Sequence, residues 1–171
     1  GPLSVFESGA ILQYLADKSG QLLPRDVRGR YEVLQWLYWQ VAGLGPMAGQ
    51  AHHFRAFAPE TIPYGIKRYT DEVNRLYGVL QRRLAGREYI AGEYSIADIA
   101  CWPWVVPHER QGQSLDDFPD VKRWFDAVRD RPATRRAYAA GHERSADAEA
   151  YPFLYGQTAA SVEQRRREHD R

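Results

Sequence analysis

With 171 residues, 44% of them apolar and 26% charged, the chain is long enough to bury one full-sized core. A net charge of +1 argues against nucleic acid and against an anionic membrane surface as partners. The one cysteine, Cys101, lies in an apolar run and cannot close an internal disulfide, which fits a reducing, cytoplasmic setting. No apolar run approaches the ~20 residues that span a bilayer. The N-terminus lacks the basic stretch and apolar segment of a signal peptide. It also lacks an initiator methionine, so the start of the chain is not expected to be the start of the gene product.

A first helix is predicted over 7–18, where Ile11, Tyr14 and Leu15 recur at helical spacing and Ser19-Gly20 supplies a stop. Ser8 is placed to cap it, because a serine hydroxyl satisfies one of the orphan N–H groups of the first turn. Left open, those N–H groups and the helix dipole attract a carboxylate from a ligand, and Glu7 beside them suits an ammonium. The pair therefore reads either as an ordinary capped start or as a receptor for the zwitterionic end of an amino acid. Residues 21–24 form a short linker closed by Pro24.

Asp26 opens a second helix over 26–41 with Tyr31, Leu34, Tyr38 and Val41 on one face, widened by Val33 and Leu37. Trp36 and Trp39 fall off the centre of that face, so burial on more than one side is expected. Gly43, Gly45 and Pro46 should kink or interrupt it, and its continuation over 47–55 carries His52 and His53. After a loop at 56–63, the strongest helical period runs over 64–84 through Ile66, Tyr69, Val73, Leu76, Tyr77, Leu80 and Leu84. Gly65 and Gly78 lower its propensity but permit close approach of a neighbour.

After a connector at 86–94, Ser95-Ile96-Ala97-Asp98 has the form of a capping box, so Ser95 and Asp98 are assigned to folding. It opens a buried helix that meets Pro103 and ends near Pro107. Further helices are expected over 117–131, with Val121, Trp124, Phe125 and Val128 on one face, and over 133–140, stopping at Gly141. Residues 144–147 read as linker, 151–155 as a small apolar patch, and 164–171 as a charged, disordered tail. No repeat and no alternating strand pattern is visible. The fold class is all-α.

Several chemistries lack their signatures. His52 and His53 are adjacent, so on a helix they diverge by about 100° and read as helix surface or cleft lining; no metal site is expected. There is no nucleophile elbow, phosphate loop or dinucleotide fingerprint. The short basic runs are balanced by acids, and a buried Cys101 is disfavoured as thiolate.

Two stretches resemble the glutathione transferase family. Phe6-Glu7-Ser8-Gly9-Ala10-Ile11, with Tyr14-Leu15-Ala16, is similar to the end of its thioredoxin-like domain, and Ser95-Ile96-Ala97-Asp98-Ile99-Ala100 to the start of the central helix of its helical second domain. The run Leu34-Gln35-Trp36-Leu37-Tyr38-Trp39-Gln40-Val41 is similar to the bacterial Nu class, which is related to bacterial disulfide-bond oxidoreductases. So are Gly43-Leu44-Gly45-Pro46-Met47, Gly49-Gln50, His52-His53-Phe54, Ala100-Cys101-Trp102-Pro103-Trp104 and Arg131-Pro132-Ala133-Thr134.

The resemblance implies a remnant of a thioredoxin-like domain at 1–20, a linker at 21–25, a transferase C-terminal helical domain at 26–141 and a partly disordered tail at 142–171. It also implies glutathione as co-substrate, its γ-glutamyl end held by Glu7 and Ser8, and a homodimer in which Arg68 reaches the partner's glutathione. By its position alone, Arg68 reads as exposed surface. His53, Phe54 and Trp104 become candidates for lining the electrophile cleft. The implied activity is attack of glutathione thiolate on electrophiles, or reduction of disulfides and peroxides. The family's thiol-activating residue and cis-proline loop precede Leu3, so the catalytic group lies upstream and the fragment alone is expected to be inactive. The rival expectation is a non-catalytic, transferase-like helical module that mediates assembly.

Overall fold

The computed structural model describes residues 3–146, with side-chain burial through residue 140; the expected patch at 151–155 and tail at 164–171 lie outside them. Seven α-helices follow one another, and among the described residues the only sheet-like pairing is two isolated bridges, Tyr89 with Gly92 and Ala91 with Glu93. No described helix is long and apolar enough to cross a membrane.

Helix α1 (Ser8–Ser19) ends on Gly20, whose φ of 69° lets its N–H reach back to Ala16 O at 2.8 Å. Helix α2 (Val27–Trp39) starts where Asp26 accepts from the Gly29 N–H at 2.8 Å. Its buried face differs from the expected one. Val33, Leu34 and Leu37 are buried, whereas Tyr31 and Tyr38 are 65% and 59% exposed. Two stripes fit the helical period here, and the aliphatic one is the cheaper to bury because a tyrosine hydroxyl needs a partner.

The interruption expected near Gly43 is a π-turn. Over Gln40–Leu44 the helix takes in one extra residue, and the Gly45 N–H bonds to Gln40 O, five residues back. Pro46 then sits in the first turn of α3 (Gly45–His52), so its missing N–H falls at the junction with the π-turn. A second π-turn, His53–Phe57, follows directly and closes with the Ala58 N–H on His53 O at 2.8 Å.

Helix α4 (Pro63–Leu84) buries Val73, Leu76, Tyr77, Leu80 and Leu84, as its period predicts. Of its two glycines only Gly65 permits close approach: a β-carbon there would stand 2.9 Å from the Phe54 ring, whereas at Gly78 nothing lies nearer than 3.7 Å.

Helix α5 (Ile96–Val105) is the hub of the core and packs against α1, α2, α3 and α6. Its capping box is present, and Asp98 does more than cap. Its Oδ2 accepts from the Ser95 N–H (2.9 Å) and hydroxyl (3.3 Å). Its Oδ1 accepts from the Ile90 N–H (3.0 Å) and from Trp124 Nε1–H (2.8 Å). One buried carboxyl thus ties the connector before α5 to helix α6 (Pro119–Arg129). The expected apolar face of α6 holds: Val121, Trp124 and Val128 are buried and Phe125 packs on the core.

Helix α7 (Pro132–Ala146) does not stop at Gly141, nor is there a linker at 144–146. One glycine costs a helix about 1 kcal/mol, and the Ala, Arg and Glu residues around it outweigh that.

Candidate functional site

The start of α1 departs from an ordinary cap. The cap position is Glu7, with φ 70° and ψ 120°, and no side chain caps the helix. Ser8, expected as the cap, is instead the first helical residue. A positive φ on a side-chain-bearing residue costs of order 1–3 kcal/mol and persists only where its surroundings enforce it; among the described residues Leu22 is the one other such case. The enforcement here is next door. Gly9 is buried, and a β-carbon on it would come 3.1 Å from Val41 Cγ2, so α1 is seated tightly against the turn of helix that follows α2.

The first bond of α1 runs from the Ile11 N–H to Glu7 O at 2.9 Å. The N–H groups of Ser8, Gly9 and Ala10 precede it and have no helical acceptor. Glu7 and Ser8 are both exposed, so an open, positively polarised helix end lies beside a carboxylate.

This end opens on a cleft of about 560 Å³. Ser8, Ile11 and Leu12 form one wall, α5 supplies Ile99, Ala100, Pro103 and Trp104, Pro107 follows from the turn beyond it, and Gln40 completes the lining. Apart from Ser8, Gln40 and the Trp104 indole N–H, its side chains are apolar, and none carries a charge. The Trp104 ring lies over Gly45 and Gly49 of α3, with ring atoms 3.1 and 3.6 Å from where their β-carbons would stand.

Of the other sequence candidates, only Trp104 joins Ser8 in this cleft. Arg68 lies in a second groove of about 630 Å³ with Met47, Tyr64 and Tyr69. There Lys67 pairs with Asp71 (2.5 Å) and Arg75 with Glu72 (2.7 Å). Arg68 pairs with no carboxylate among the described residues. Phe54 stacks on Tyr69 at 5.3 Å and 15°, with His53 edge-on to it at 5.3 Å. His53 and Phe54 thus form an aromatic group against α4, apart from the residues lining the Ser8 cleft. The neighbouring His52 faces Phe57 instead, and burial followed by the charge of Arg110 lowers its pKa.

Cys101 is fully buried, and desolvation pushes its thiol well above the ordinary range, so it cannot serve as a thiolate. Among the described residues no three His, Cys, Asp or Glu side chains gather where a metal would sit. Sequence reasoning missed Gln40, because a glutamine in an aromatic helical run gives no sign that a π-turn will aim it into a cleft.

Comparison with known proteins points to one family. Residues 44–132 match the family model for the glutathione S-transferase C-terminal domain. The chain is 56% identical to the disulfide-bond oxidoreductase YfcG of Escherichia coli over 148 residues, which is 84% of this chain and 69% of that protein. It is 41% identical to YghU of the same organism, over 79% of this chain and 50% of that one. Among solved structures, a glutathione transferase from Burkholderia graminis with two glutathione molecules bound per subunit aligns with TM-score 0.74 and 49% identity, over 79% of this chain and 60% of that one. One from Pseudomonas putida with glutathione disulfide bound aligns with TM-score 0.74 and 47% identity, over 79% and 62%. The chain thus spans half to about two thirds of the length of these relatives. With an open helix end, an apolar cleft beside it and relatives of this similarity, the chain belongs to the glutathione transferase family.

Proposed function

We propose that this chain is the C-terminal portion of a glutathione-dependent enzyme that holds glutathione at the start of α1. In this reading the N–H groups of the first turn receive the γ-glutamyl carboxylate, the Ser8 hydroxyl adds a further donor, and Glu7 pairs with the ammonium. The observation that carries the reading is the uncapped first turn of α1, held open by a strained Glu7 at the mouth of an uncharged cleft. The second substrate, an electrophile or a disulfide, occupies that cleft against Trp104. Glutathione thiolate attacks it, forming a thioether or a mixed disulfide as the leaving group or thiolate departs.

Such attack needs a hydrogen-bond donor at the sulfur to lower the thiol pKa. None of the residues described here is placed in that role, and it is assigned to the upstream thioredoxin-like portion. Residues 1–20 would be the end of that portion, 21–25 its linker, 26–141 the helical domain and 142–171 a tail. Arg68, which forms no direct ion pair among the described residues, is assigned to glutathione of the partner subunit in a cytoplasmic homodimer. His53 and Phe54, grouped against α4 with Tyr69, are given no part in this cleft, and of the expected lining residues only Trp104 keeps that role.

The test is Ser8→Ala in the complete protein. Losing a hydroxyl donor to a charged ligand costs about 1.5–3 kcal/mol, roughly 10- to 100-fold in Kd for glutathione. Because Ser8 caps nothing, the melting temperature should stay within about 2 °C, the shift that a few tenths of a kcal/mol produces in a domain of this size. Unchanged affinity by calorimetry would refute the site.

A further inference from the structure

The cleft beside Ser8 contains one polar side chain that the proposed glutathione site leaves unused. Gln40 is 4% exposed, yet its carboxamide makes no hydrogen bond to any described residue, and it lines the cleft. The amide atoms are not sealed from solvent, so their hydrogen bonds are open to whatever fills the cleft. Gln40 is nonetheless held in place. It opens the π-turn, and its amide nitrogen lies against Gly45, 2.7 Å from where a β-carbon would be. The Trp104 Nε1 stands 3.1 Å from that same point and likewise has no hydrogen-bond partner among the described residues. The two nitrogens are therefore no farther apart than the sum of those distances, and both belong to side chains that line the cleft.

Two neutral donors converging in a lining without charge select a particular ligand chemistry. A carboxylate would be desolvated there with no cation to balance it. An ammonium would meet donors of its own kind. A neutral carbonyl oxygen, acceptor-only and inexpensive to desolvate, fits both nitrogens.

We infer that Gln40, together with the Trp104 indole, is a binding residue for a neutral carbonyl group of the second substrate. The inference rests on the proposed glutathione-dependent activity, since it assigns the substrate class of the same cleft. The carbonyl has two chemical sources: the amide of a peptide disulfide, or the ketone of an apolar electrophile.

The test uses the complete protein and calorimetric titration with S-hexylglutathione and a ladder of its analogues bearing a ketone at successive carbons of the hexyl chain. At one ketone position or more, the wild type should bind the ketone about fivefold tighter than the plain chain, the worth of one neutral hydrogen bond. Gln40→Leu should abolish that preference. Gln40→Glu, close in size, places an acceptor against an acceptor and should reverse it, so a packing defect alone cannot mimic both results. A parallel series of S-hexylglutathiones with a secondary amide in the chain separates the sources: a preference confined to amides assigns a peptide disulfide, one confined to ketones an electrophile. If both conjugate types bind with no carbonyl preference, or if the preference survives in both variants, the carbonyl site is overturned while the glutathione reading stands. If no conjugate binds at all, both fall.

Discussion

Asp98 carries the largest single consequence for stability that can be worked out from the structure. Asp98→Ala strips the acceptor from three buried N–H donors at once: Ile90 and Ser95 on the backbone and Trp124 Nε1. Leaving a buried donor unpaired costs about 1–3 kcal/mol each, partly offset because a desolvated carboxyl is also removed. The net loss should be about 3–5 kcal/mol, a large share of the ~5–15 kcal/mol that holds a typical domain folded. Asp98→Asn keeps an oxygen for Ile90 and Trp124 and turns an amide toward Ser95, so it should cost only about 1–2 kcal/mol. Urea titration at pH 7, at unchanged m, measures both. Equal losses for the two variants would mean that charge rather than acceptor geometry matters, and a loss for Asp98→Ala under about 1 kcal/mol would refute the network.

The same residue sets a pH dependence. Burial, the leading influence, drives the Asp98 carboxyl above the ordinary value of 3.8, while its four donors oppose that rise. The folded protein therefore keeps this proton to a higher pH than the unfolded chain. What Asp98 contributes is complete below the unfolded value and is lost as pH rises through the folded one. The stability difference between wild type and Asp98→Asn, which has no proton to trade, should shrink as pH climbs from 3.8 and then level off. A difference that grows with pH would show that the donors outweigh burial.

Other substitutions separate backbone from side-chain effects. Gly65→Ala, with its new carbon 2.9 Å from the Phe54 ring, should cost about 1–3 kcal/mol, whereas Gly78→Ala in the same helix should gain about 0.5–1 kcal/mol; thermal melts compare them directly. Glu7→Gly should be more stable than Glu7→Ala by about 1 kcal/mol, because only glycine adopts a φ of 70° without strain. Both should weaken glutathione binding in calorimetry. Equal melting temperatures for the pair would show that the backbone there relaxes.

What could be read from the sequence follows the range of the interaction. Helix α4 and the Ser95–Asp98 box are specified within one or two turns, by period and by a capping pattern, and both were legible. The bond from Trp124 to Asp98 spans 26 residues and was not. Tyr31 and Tyr38 share the helical period with the aliphatic stripe of α2, so periodicity alone could not choose between the two faces. Ser8 has the chemistry of a cap, but the backbone turn at Glu7 moves the cap position back by one residue, and no residue type announces that turn. Trp104 and Ser8 meet only because α1 and α5 pack together. Phe54, adjacent in sequence to other cleft candidates, is carried by the second π-turn to Tyr69.

The first π-turn has a consequence for how this cleft tolerates change. An α-helix advances about 100° per residue, so one extra residue in a turn resets the phase of everything that follows. Gly45 and Gly49 lie beneath Trp104 because of that reset, and Gln40 lies beside them for the same reason. The cleft is thus encoded partly as a count. Were the same five residues, Gln40–Leu44, wound as ordinary α-helix, α3 would turn by more than a quarter revolution and the cleft would lose its floor, although no lining side chain had changed.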